Sequence, residues 1–182
     1  LQPNQLASKG ISRTFQNVRL FENMTVAENI LVGGLHTYKT GIYQGLLGTG
    51  ASRRDKKILE DRVVEMLEFF ELTPYASNMA DGLAYGHRRR LEMARALVSK
   101  PKLLLLDEPT AGMNSTEKAE VVELLEKIKK TGVTTIVIEH DMKFIKGICD
   151  NIMVLDYGEK LSSLSSKLNS TSRFEALSVR MK

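Results

Sequence analysis

A parallel α/β sheet interrupted by a helical insertion is the fold class predicted here, and three observations carry it. Leu103-Leu104-Leu105-Leu106 is an unbroken apolar run ending in Asp107, the pattern of a strand buried on both faces. Thr134–Ile138 is a β-branched run, separated from the first by a helical period that puts Val121, Leu124, Leu125 and Ile128 on one face. Residues 21–100, by contrast, carry helical patterns almost throughout. Strand, helix, strand, helix, strand requires crossover connections and hence a parallel sheet, with the helical stretch set into it.

The elements follow in chain order. Ile11–Asn17 alternates like a short strand running into a loop. Thr25 reads as a helix N-cap with Glu28 completing a capping box ahead of Ile30-Leu31-Val32. Residues 33–52 hold six of the chain's 13 glycines and read as a flexible connection. A long amphipathic helix follows from about Arg53 to Leu72, with Ile58, Val63, Leu67 and Phe70 on one face, and Thr73-Pro74 ends it. Gly86–Ser99 is the next helix, with Leu91, Ala94, Leu97 and Val98 inward and Pro101 closing it. After the leucine strand come a helix over Glu117–Lys130, Gly132 as its C-cap, and the strand Thr134–Ile138. A short helix from Met142 and a strand at Ile152–Leu155 complete the patterned region. From Leu161 the chain turns Ser-rich and basic with little periodicity, so the expected division is 1–20, 21–100, 101–160 and a divergent tail, 161–182.

Composition bounds the function classes. The chain has 182 residues, 42% hydrophobic and 26% charged, which suits a folded domain rather than a disordered one. A net charge of +4 is too small and too scattered to point to nucleic acid, though it suits work beside an anionic membrane surface. The single cysteine, Cys149, excludes an internal disulfide framework and reads as a buried small hydrophobe. No apolar run approaches the roughly 20 residues of a membrane helix.

Four segments carry chemistry. Asp107-Glu108 places two adjacent carboxylates at the C-terminal end of a strand, where open α/β sheets bind ligands. Asp107 is placed to hold Mg²⁺ and Glu108 to accept a proton from an attacking water; the alternative is a turn and helix start, with Asp107 and Thr110 as caps. Leu83-Ala84-Tyr85-Gly86-His87 opens a helix, whose N-terminal N–H groups and dipole suit phosphate, although a loop entering a helix often reads the same way. His140 follows the strand Thr134–Ile138 on the sheet edge of Asp107 and can reach a phosphate, or be structural. Gln16 offers an amide to a water or a metal, a weak signal alone. Arg88-Arg89-Arg90 reads as a solvated helix face.

The order of these segments resembles the ABC-type ATPases: Gln16 as the Q-loop, Leu83–Gly86 as the signature, Leu103–Glu108 as Walker B, Ala111–Asn114 as the D-loop and His140 as the switch histidine. Gly10–Phe21, Met24–Asn29, Thr40–Leu47, the Tyr85 variant of the signature and Ile138–Met142 are similar to the ATPases of bacterial branched-chain amino acid importers. The resemblance covers about residues 1–160. It implies a partial P-loop NTPase (RecA-like) core with an inserted ABC helical subdomain, with ATP and Mg²⁺ as cofactors. By the same resemblance Gln16 senses nucleotide, helps ligate the metal and meets the membrane subunit, Leu83–His87 bind the γ-phosphate held by an opposite subunit, Asp107 serves Mg²⁺, Glu108 is the general base and His140 steadies the γ-phosphate. Ala84 stands where many signatures have Ser, and His87 where Gln is commoner, so one hydroxyl donor is absent from that contact. The implied partners are a second ABC ATPase subunit, equal or different, transmembrane permease subunits and, indirectly, a substrate-binding protein, with no nucleic acid. The implied location is the cytoplasmic face of the cell membrane.

The motif G-x-x-x-x-G-K-[ST] does not occur in these 182 residues, since none of the 13 glycines is followed by lysine. The simplest account is that it lies upstream of Leu1, in which case this chain by itself neither binds ATP tightly nor hydrolyses it. The alternatives are an inactive ABC fragment or pseudogene product and a non-transport ABC ATPase. Leu161–Lys182 does not resemble the family's usual ending, for which a frameshift, a spliced reading frame and divergence are all open.

Overall fold

The computed structural model describes residues 2–14, 19–37, 50–156, 159–165 and 174–179. The chain forms two compact units, Leu1–Gly10 with Val18–Pro101, and Ile11–Asn17 with Lys102–Lys182.

The first unit is helical: α1 (Pro3–Ser8), α2 (Val26–Gly34), α3 (Gly50–Phe69) and α4 (Tyr85–Leu97), joined among the described residues by short 3-10 turns. The short helix α1 has no counterpart in the periodicity, and it groups with this unit although residues 1–20 read from sequence as part of the sheet core. Helix α2 starts where its capping box says: Thr25 Oγ accepts from the Glu28 N–H at 3.2 Å, and the Glu28 carboxylate accepts from the Thr25 N–H at 2.8 Å. In α3 the buried stripe is Leu59, Val63, Met66, Leu67 and Phe70, whereas Ile58 is exposed, one position off the expected face. A stripe centred on Leu59 runs i, i+4, i+7, i+8, i+11, which follows the 3.6-residue turn more closely than one begun at Ile58. Helices α2 and α4 meet closely: a Cβ on Gly33 would sit 2.2 Å from the Arg95 carbonyl oxygen, so no other residue fits there without a shift. Arg88, Arg89 and Arg90 do not form the solvated face expected of them. Successive helical residues point about 100° apart, and each arginine finds its own carboxylate: Arg88 with Glu22 at 3.5 Å, the buried Arg89 with Glu92 at 2.6 Å, and Arg90 with Glu71 at 2.8 Å.

The second unit is a six-stranded sheet of β1 (Ile11–Arg13), β2 (Leu103–Asp107), β3 (Thr134–Ile138), β4 (Asn151–Asp156), β5 (Glu159–Ser165) and β6 (Phe174–Val179), with α5 (Ser115–Lys130) and α6 (Met142–Ile148) as crossovers. The strand order is β1-β2-β3-β6-β4-β5, parallel throughout except for β5 against β4. Pairing in register lines up Leu106, Val137, Ala176 and Ile152 as one buried row across the sheet. Each fully buried Leu or Ile in such a row contributes about 1.5–3 kcal/mol. Strand β2 alternates buried Leu104 and Leu106 with half-buried Leu103 and Leu105, so its two faces differ where the leucine run reads as equally buried.

Helix α5 starts earlier than expected because Asn114 caps it: Asn114 Oδ1 accepts from the Thr116 and Glu117 N–H groups at 2.9 and 3.0 Å, and Glu117 returns the bond to the Asn114 N–H. Gly132 follows its end at φ +82°, a left-handed position where glycine carries no Cβ penalty. Cys149 is buried, which pushes its thiol up to about 12, so it packs as an apolar group. The last part of the chain departs most from its reading. The stretch expected to be a divergent Ser-rich tail with little periodicity supplies most of β5, which pairs antiparallel to β4, and all of β6, which enters the sheet between β3 and β4.

Candidate functional site

The chemistry-bearing residues of the second unit gather at one edge of the sheet because parallel strands bring all their C-terminal ends to the same side. Register pairs Asp107, the last residue of β2, with Ile138, the last of β3. Glu108 and His140 therefore emerge from neighbouring strand ends. Among the described candidates, Asp107, Glu108 and His140 are brought together; Gln16 lies outside the described residues.

Asp107 accepts a hydrogen bond from Arg13 at 2.8 Å, across the β1–β2 pairing, and its N–H donates to the Thr14 hydroxyl at 3.3 Å. The donor set suits magnesium held mainly by nucleotide phosphates, a mode in which one or two carboxylates suffice. Among the described residues no group of three or more His, Cys, Asp or Glu forms a metal cage.

Glu108 has φ +45°, in the left-handed region that costs a non-glycine residue roughly 1–2 kcal/mol. Its N–H donates to the Ile138 carbonyl at 2.9 Å, and its carbonyl accepts from the Ala111 N–H at 3.1 Å, which closes the turn. One Glu108 carboxylate oxygen lies 3.7 Å from His140 Nδ1. That separation is too long for a hydrogen bond but within reach of an ion pair when the imidazole is protonated. His140 is 70% exposed, so one face of its ring is open to a ligand.

Between these two residues lies a group that the sequence reading passed over. Glu139 is 2% exposed, and its Oε1 accepts from the Thr110 N–H at 3.2 Å and from the Thr110 hydroxyl. Its Oε2 accepts from the His140 N–H at 3.0 Å. Asp141 then N-caps α6, accepting from the Lys143 and Phe144 N–H groups at 3.1 and 3.3 Å, and it pairs with Lys118 of α5 at 2.9 Å. The Lys118 bond holds the Asp141 carboxyl below its ordinary range, and the same bond raises the Lys118 ammonium above its own. No local spacing marks Glu139 or Thr110, which are 29 residues apart.

The other candidate segment belongs to the first unit. Ala84 is the N-cap of α4, has extended backbone and forms no side-chain cap bond. Leu83 is buried, Tyr85 is 42% exposed, and the His87 ring packs on Tyr75 with centroids 4.5 Å apart. Gly86 has open space where a Cβ would be, so no contact among the described residues requires glycine there. The N-cap Ala84 thus places no side chain on the N–H groups of this helix start, the kind of end at which anions bind.

A mostly parallel sheet with a helical unit beside it in sequence fits the fold of ATP-binding cassettes, and the comparisons agree on that class. The family described as ABC transporter matches residues 2–111, more than half of the chain, and the chain belongs to it. It is 46% identical over 164 residues to the high-affinity branched-chain amino acid transport ATP-binding protein LivG of Escherichia coli (strain K12), covering 90% of this chain and 64% of that protein. Against the high-affinity branched-chain amino acid transport ATP-binding protein BraF of Pseudomonas aeruginosa it is 42% identical over 163 residues, or 89% of this chain and 64% of the relative. The chain thus spans 64% of the length of the curated relatives it matches. Among solved structures, it resembles an ATP-binding cassette of an ABC transporter in its ADP conformation, with a TM-score of 0.74 at 26% identity over 91% of this chain and 65% of that one. Among the described residues no helix is long and apolar enough to cross a membrane.

Proposed function

We propose that this chain is part of the ATP-hydrolysing subunit of an importer for branched-chain amino acids. The observation that carries the reading is the convergence of Asp107, Glu108 and His140 on one sheet edge in a chain that is 46% identical to LivG. In this reading Glu108 takes the proton of the attacking water, and His140, with its exposed ring, donates to the γ-phosphate. Asp107 would hold Mg²⁺, which supplies charge neutralisation at the phosphates when bound. Gln16, eleven residues before Ala27 on the approach to α2, is assigned to nucleotide sensing and to metal through its amide oxygen. The α4 N-terminus, Leu83–His87, receives the γ-phosphate of ATP bound to a second ATPase subunit, and Gly86 keeps the approach to its backbone open. The partners are that second subunit, membrane permeases and a substrate-binding protein, with the chain at the cytoplasmic face of the membrane.

Because G-x-x-x-x-G-K-[ST] is absent from these 182 residues, the chain by itself is expected to turn over no ATP. The test joins the chain in frame, at Leu1, to a relative's segment carrying that motif, and measures phosphate release with MgATP for both forms. Turnover by the joined protein and none by the 182-residue chain is the expected pair of results. Turnover by the chain alone, above that of its Glu108→Gln variant, would contradict the reading.

A further inference from the structure

Glu139 is an unusual residue to bury. A carboxylate taken out of water is costly unless every oxygen finds donors, and an apolar side chain of similar volume would pack there at no such cost. Here the carboxylate spans two segments. One oxygen takes the N–H and hydroxyl of Thr110, which follows Glu108 by two residues; the other takes the N–H of His140. Thr110 is itself only 3% exposed, so this contact is shielded from solvent competition. The ladder between β2 and β3 ends at Asp107 and Ile138, and beyond it the Glu108 N–H still bonds to the Ile138 carbonyl. Glu139 continues the cross-link past that point with a side chain.

We propose that Glu139 is a positioning residue that sets Glu108 and His140 at their mutual distance. The inference rests on the reading of those two residues as the base and the phosphate donor. Glu108 sits in a left-handed conformation that its own chain does not favour, so the turn needs an outside hold. Thr110, two residues on, is the point at which Glu139 supplies that hold. The same carboxylate fixes the backbone of His140, so a single group controls the placement of both.

The test has two parts, using Glu139→Gln, which keeps an acceptor for Thr110 and turns an N–H₂ toward the His140 N–H. In the 182-residue chain, amide hydrogen exchange at Glu108, Thr110 and His140 should quicken by about tenfold or more, while Leu104–Leu106 stay as protected as before. In the joined protein, kcat for MgATP should fall about 10- to 100-fold with KM for ATP within about twofold, below the melting temperature of both forms. Thr110→Val should lower kcat in the same direction, and the double variant should lose less than the two single effects multiplied. Unchanged exchange at the three amides would overturn the proposed hold. Quickened exchange with unchanged kcat would reduce Glu139 to a structural residue and overturn the positioning role. If the unsubstituted joined protein releases no phosphate, the ATPase reading fails, and the exchange measurement alone still decides whether Glu139 ties the two turns.

Discussion

The sheet edge and the start of α4 are both proposed to meet phosphate, and they are built in opposite ways. At the sheet edge the polar groups are tied down: Asp107 to Arg13, Glu139 to Thr110 and His140, Asp141 to Lys118. At the start of α4, Ala84 makes no cap bond and Gly86 faces open space. The difference follows from the chemistry each has to supply. A general base and a phosphate donor act only when held at fixed distances, which requires cross-links between strand ends. A helix N-terminus already points its N–H groups along one axis, so a capping side chain would compete with the ligand for donors.

The predictions probe this contrast, beginning with the largest effect. His140→Ala in the joined protein should lower kcat by about 100-fold or more, since a donor aimed at developing charge is lost. Because the ring is 70% exposed, the melting temperature should barely move. Gly86→Ala should cut turnover about tenfold or more while raising helix stability by about 0.5–1 kcal/mol. Nothing among the described residues meets the new Cβ, so a loss of activity with a gain of stability is the signature of a surface kept open for a ligand. A loss of both would place the need for glycine within the fold instead.

Thr25→Ala should destabilise the helical unit by about 1 kcal/mol through loss of the capping box, read by thermal melting. The Thr25 N–H, and after it the Thr25 hydroxyl, hold the Glu28 carboxyl below its ordinary range, and alanine keeps the first but loses the second. A depressed carboxyl contributes stability above its unfolded value and loses it as pH falls through the folded one. The gap in melting temperature between the two forms should therefore narrow in acid. Lys118→Met, the smallest effect, removes a half-exposed pair and should lower the melting temperature only slightly. Asp141 is depressed and Lys118 raised, so the pair stabilises between the ordinary carboxylate and lysine ranges. The difference should fade both as pH falls through the lowered Asp141 value and as it rises through the raised Lys118 value.

What could be read from sequence was what repeats or caps locally. The strand Thr134–Ile138, the Thr25–Glu28 box and the inward faces of α4 and α5 follow from spacings of two to four residues. That Asp107, Glu108 and His140 share one sheet edge could be anticipated because each ends a strand run or follows it within two residues. Arg13, Thr110 and Glu139 were not, since their partners lie 94 and 29 residues away and no spacing connects them. The strands β5 and β6 escaped for another reason. Ser162, Ser163 and Ser165 have little strand preference of their own, and Asn151–Asp156 templates β5 by pairing with it. The arginine triplet departs from its expected solvated face because each member finds a carboxylate: buried Glu92 for Arg89, and exposed Glu22 and Glu71 for the half-buried Arg88 and Arg90.

The central claim is that Glu108 acts as the general base of an ATPase subunit. Its most direct test is phosphate release from MgATP by the joined protein, compared with its Glu108→Gln variant. The account predicts turnover that the substitution reduces by about 100-fold or more while nucleotide still binds. Equal turnover by both forms would contradict it.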